Sequence, residues 1–101
     1  MSRRNGFSQQ FEAKSELNRA ISYHQNGQLC PAEQIYRNIL ESHPENAEVL
    51  HLLGLLTWQT GQCEVAIDLI RQASRIRPEK TLFLRDLARF LNSTGCLNQA
   101  I

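Results

Sequence analysis

AEVLHLLGLLTWQTGQCEVAIDLIRQASRIRPEK, residues 47–80, decides how this chain of 101 residues is read, because its pattern returns on both sides at one spacing. Gly27, Gly61 and Gly95 stand 34 residues apart, and other positions then fall into register without gaps: Ala20 with Gly54 and Ala88, Ala32 with Ala66 and Ala100, Tyr36 with Ile70, Pro44 with Pro78. Each position has a physical use. Two helices of a hairpin approach closely only where a small residue sits at their crossing, so Ala20, Gly54 and Ala88 are expected to face Ala32, Ala66 and Ala100. The glycines follow polar residues at the end of an apolar-periodic run, where a left-handed helix terminus suits glycine. Pro44 and Pro78 cannot continue a helix and bias His43 and Arg77 toward extended backbone. A period of about 34 residues therefore predicts an all-α chain of stacked antiparallel helix hairpins, an α-solenoid.

With those residues in place, the chain resembles the tetratricopeptide repeat family, in a bacterial-type form. The central unit, 47–80, has Leu50, Leu53, Gly54, Gly61, Ala66, Ile70, Ala73 and Pro78 at the family's bulky, small, loop-glycine and proline positions. The unit 13–46 keeps Ala20, Tyr23, Gly27, Ala32, Tyr36 and Pro44 but carries polar Glu16 and Arg19, as water-facing end repeats do. The third, 81–101, keeps Leu84, Leu87, Ala88, Leu91, Gly95 and Ala100 and stops at Ile101; residues 1–12 form an amino-terminal tail. The likeness covers about nine tenths of the chain. It implies a right-handed superhelix whose first helices line a concave groove. In that arrangement the groove residues are Lys14, Leu17, Asn18, Ile21, His24 and Gln25; then Glu48, His51, Leu52, Leu55, Trp58 and Gln59; then Leu82, Arg85, Asp86, Arg89, Asn92 and Ser93. Relatives that clamp the tails of heat-shock chaperones use a lysine and an asparagine where this chain has Leu17 and Ile21, and the asparagine ladder of sugar-transferring relatives is reduced to Asn18.

Local patterns set the expected elements. Residues 1–9 are polar and read as a frayed end, with helical periodicity from Phe11. A second helix opens near Pro31, whose missing donor suits a first turn, and carries Ile35, Tyr36, Ile39 and Leu40. The third, from Ala47 to Gln59, is apolar around most of its circumference and should be buried on several sides. The fourth turns Val65, Ala66, Ile67, Leu69, Ile70, Ala73 and Ile76 inward. The fifth begins at Thr81, a suitable cap, and its Leu82, Phe83, Leu84, Leu87, Phe90 and Leu91 call for a covering element that would start at Leu97. A chain ending in mid-pattern reads as part of a longer repeat protein, or as one that associates with itself.

Eleven basic and ten acidic residues give a net charge of +1, which supplies no field for nucleic acid or an anionic membrane. No apolar run reaches the roughly 18 residues of a membrane span, and no secretory leader opens the chain, so a cytoplasmic setting is expected. Three cysteines fit a reducing compartment and read as small residues at hairpin turns. His24, His43 and His51 fall on different elements with no metal-ligand spacing to Cys30, Cys63 or Cys96. Neither a nucleophile with an orienting base nor a phosphate loop is visible. No enzyme, cofactor or metal is expected, and the favoured function is a non-catalytic scaffold that binds a protein or peptide partner. The alternatives are an amino-terminal repeat region of a larger glycosyltransferase- or sulfotransferase-like enzyme and a homodimer formed through residues 82–101.

Overall fold

The computed structural model describes the backbone of residues 6–93 and the side chains of residues 15–93. Those residues form five α-helices and no strand: α1 (Gly6–Gln25), α2 (Leu29–Ser42), α3 (Ala47–Gln59), α4 (Cys63–Ile76) and α5 (Thr81–Leu91). Each helix packs on its neighbours in chain order, α1 on α2, α2 on α3, α3 on α4 and α4 on α5. Among the described residues no helix is long and apolar enough to cross a membrane.

The turns follow from backbone chemistry. Gly27 and Gly61 adopt φ of 82° and 88°, the left-handed conformation that closes a helix cheaply only without a Cβ. Their neighbours complete the turn, with the Gln28 N–H donating to the Tyr23 carbonyl at 2.9 Å and the Gln62 N–H to the Thr57 carbonyl at 2.9 Å. Before the prolines, His43 (φ −134°, ψ 73°) and Arg77 (φ −124°, ψ 73°) leave the helical region as expected. At the start of α3, the Asn46 side chain accepts the Val49 N–H at 3.2 Å.

Packing matches the spacing of small residues in the first two hairpins. Ala20 and Ala32 are fully buried with Tyr36, Ile39, Val49, Leu53 and Leu56. Gly54 lies against α4 so closely that a Cβ built on it would stand 2.6 Å from Ile70 Cγ1 and 3.3 Å from the Ala66 carbonyl oxygen. The apolar helix α3 is the centre of the packing, with eight buried residues including Val49, Leu50, Leu53 and Leu56. Thr57 is buried among them at no polar cost, because its hydroxyl donates at 3.0 Å to the carbonyls of Leu53 and Gly54.

Six local expectations are corrected. Helix α1 begins at Gly6, so residues 6–9 are helical where a frayed end was expected. Helix α2 begins at Leu29, leaving Pro31 still within the first turn, where its missing N–H is harmless. Thr81 is the first helical residue of α5; the cap is Lys80, which makes no side-chain capping bond. Val65 and Ile76 point outward, 41% and 39% exposed, because α3 and α5 contact the sector of α4 that carries Ala66, Ile70 and Ala73. Cys63 is disulfide-bonded, which overturns the reading of the cysteines as unpaired; Cys30 is free and exposed. Ala88 is exposed. The residues expected opposite and beyond it, Gly95, Cys96, Leu97, Ala100 and Ile101, lie outside the described residues.

Candidate interaction surface

Two polar pairs join α1 to α3 and α3 to α5. Nε2 of His51 on α3 lies 2.6 Å from Oδ2 of Asp86 on α5, with both side chains only 8% exposed. Nε2 of His24 on α1 lies 2.6 Å from Oε1 of Gln59 on α3. Both pairs join residues 35 apart, one position more than the sequence period. The His24 ring is fixed from its other side, where Nδ1 meets the Tyr36 hydroxyl at 3.1 Å. With Nε2–H donating to the Gln59 carbonyl oxygen, Nδ1 is the acceptor of the Tyr36 proton. Burial pushes the Tyr36 phenol up to about 12, because the phenolate would lose its hydration inside the hairpin.

Aromatic contacts strengthen the junction between α3 and α5. Trp58 stacks on Phe90, with centroids 3.9 Å apart and planes within 4°, and the His51 ring leans on Phe83 at 4.8 Å. Asp86 is thus buried beside a histidine donor. Its other oxygen, Oδ1, lies 3.6 Å from Nη1 of the exposed Arg89. Three side chains from two helices therefore form one connected unit, and the buried carboxylate is satisfied.

One side of this junction remains open. At 100° per residue, Glu48, Leu52, Leu55 and Gln59 share the sector of α3 beside His51 and opposite the residues that pack on α4. Leu82, Arg85 and Arg89 share the corresponding sector of α5 beside Asp86. The contacts His51–Asp86 and Trp58–Phe90 run in the same order along α3 and α5, so these sectors lie on the same side of the junction. Asn18, Gln25, Gln59, Arg85 and Asn92 are exposed, and Ile21, Leu52, Leu55 and Trp58 are half-buried. His51 is buried and bound to Asp86. The Lys14 side chain lies outside the described residues. What the sequence did not disclose is the pairing itself: His51 and Asp86 were both assigned to a groove, and nothing local marks them as partners.

Among the described residues no three His, Cys, Asp or Glu side chains are grouped to hold a metal ion. In comparisons with known proteins, no family model matches the chain and no curated protein does.

Proposed function

We propose that this chain is a non-catalytic protein-interaction module of tetratricopeptide-like hairpins, an α-solenoid in which α1, α3 and α5 line a groove that receives a peptide or a segment of a partner protein. The observation that carries the reading is the parallel alignment of the first helices by the His24–Gln59 and His51–Asp86 pairs. That alignment leaves Ile21, Leu52 and Leu55 half-exposed in a row, with polar neighbours on either side. A rigid surface with spaced apolar positions and a polar rim suits peptide capture, because little ordering entropy is lost on the receptor side. Arginine and tryptophan are the residue types most often found to dominate such interfaces. Trp58 contributes from the flank, with one ring face spent on Phe90.

The test is to select peptides against the folded chain from a random library and map them by amide chemical shifts. Shifts should centre on Asn18, Ile21, Gln25, Leu52, Leu55, Gln59 and Arg85. Shifts confined to the opposite face, at Gln34, Asp68 and Gln72, would refute the groove assignment. A homodimer through residues 82–101 is the second reading, favoured by Leu84 and Leu91, which are 48% and 43% exposed on α5. Sedimentation across a range of concentrations separates the two.

A further inference from the structure

The charges of this chain are sorted along it. Residues 15–70 hold seven carboxylates against two arginines, whereas residues 71–93 hold Arg71, Arg75, Arg77, Lys80, Arg85 and Arg89 against only Glu79 and Asp86. Within the basic part the two carboxylates are already engaged. Glu79 accepts from Arg77 at 2.6 Å, and that bond holds its carboxyl below the usual carboxylate range. Asp86 is buried and takes the His51 donor at 2.6 Å.

Helix α5 places Arg89 in its last turn, where the dipole favours a cation, but two of its other charge placements are unfavourable. Arg85 and Arg89 sit one turn apart, a like-charge spacing that disfavours the helix. Lys80 occupies the cap, where the helix dipole favours a negative group, and the first turn has no acidic residue. Helix α3 shows the opposite arrangement, with the Asn46 cap and Glu48 in the first turn. Arg85 makes no ion pair among the described residues. Arg89 has only the 3.6 Å approach to a carboxylate already bound elsewhere, and its own side chain is 69% exposed. The two guanidinium groups lie on the sector that continues the Leu52 and Leu55 surface of α3.

We propose that the partner is an acidic peptide, its carboxylates seated against Arg85 and Arg89 and its apolar side chains on Leu52, Leu55 and Leu82. This rests on reading the chain as an interaction module and names the chemistry of its partner. Such a ligand relieves the repulsion between Arg85 and Arg89, and arginine forks match carboxylates bidentately.

Three labelled peptides of the same length test this by fluorescence anisotropy, built from Leu with Glu, Leu with Gln, and Leu with Lys. The Glu peptide should bind the intact chain about tenfold more tightly than the Gln peptide, and the Lys peptide more weakly still. Raising salt from about 0.05 to about 0.5 M should erase the Glu advantage. Arg85→Gln with Arg89→Gln should reduce the Glu peptide to the level of the Gln peptide without lowering the melting temperature. Equal binding of the Glu and Gln peptides to the intact chain overturns the acidic-partner proposal and leaves the groove standing. Binding of none of the three overturns both. A concentration-dependent dimer that the double variant dissolves assigns the arginines to a second copy of the chain and likewise overturns the proposal.

Discussion

Gly54→Ala puts the close crossing of α3 and α4 to a direct test. Two effects oppose each other. Alanine favours a helix over glycine by about 0.5–1 kcal/mol, so on an open helix face the change would stabilise. Here the new methyl would stand 2.6 Å from Ile70 Cγ1 and 3.1 Å from Ile70 Cδ1. Ile70 is fully buried between Ala66 and Phe90, and Cγ1 is only one bond beyond Cβ, so relief requires rotating χ1. Isoleucine in a helix has one strongly preferred χ1 rotamer, and overpacking of this kind costs about 1–3 kcal/mol. The clash outweighs the propensity, for a net loss of about 1–2 kcal/mol, or roughly 5–15 °C in melting temperature for a chain of this size. Ile70→Ala removes both clashing atoms and alone costs about 2–5 kcal/mol through the cavity it leaves. In that background Gly54→Ala should become neutral or stabilising, a coupling of about 2 kcal/mol between the sites. Urea unfolding followed by helical circular dichroism and by Trp58 fluorescence measures all four corners of the cycle. Full propensity gain from the single change, or strict additivity with Ile70→Ala, would mean that the helices do not meet at Gly54.

The His51–Asp86 bond should behave as a buried pair. Asp86→Leu leaves the imidazole without its partner and costs about 1–3 kcal/mol, while adding His51→Leu should recover part of that loss; additive penalties in denaturant titration would show that the bond contributes nothing specific. Tyr36 should impose an alkaline limit: with its pKa raised from 10.0 to about 12 in the fold, its contribution is fully present below about pH 10 and is lost as pH rises toward 12, by about 2–3 kcal/mol. Comparing stability at about pH 9 and pH 11, Tyr36→Phe should flatten that decline, and parallel curves for the two proteins would contradict it. Asn46→Ala removes the side-chain cap of α3 and should cost about 1 kcal/mol, read as a lower urea midpoint with unchanged slope.

Much of the helical framework was legible in the sequence because it depends on short-range chemistry. Apolar spacing placed α3 from Ala47 to Gln59, and the glycine and proline positions marked turns whose backbone angles match. The small residues marked the close approaches of Ala20 to α2 and Gly54 to α4 for the same reason: only they leave room for a crossing helix. Where composition misled, a neighbour was responsible. Val65 and Ile76 read as core residues but lie on the sector of α4 that neither α3 nor α5 covers. Gly6 through Gln9 read as a frayed end because polar residues carry no period, yet they continue α1.

The sequence by itself determined the 34-residue spacing, the approximate extent of α3 to α5 and the close approaches at Ala20 and Gly54, since each depends on periodicity or on a residue's own backbone preference. Only the tertiary structure decided that His51 binds Asp86, that His24 reaches both Tyr36 and Gln59, and that Trp58 lies on Phe90. Those contacts join residues 12 to 35 apart. They depend on the axial offset and rotation of one helix against another, which summed packing sets and no local pattern encodes.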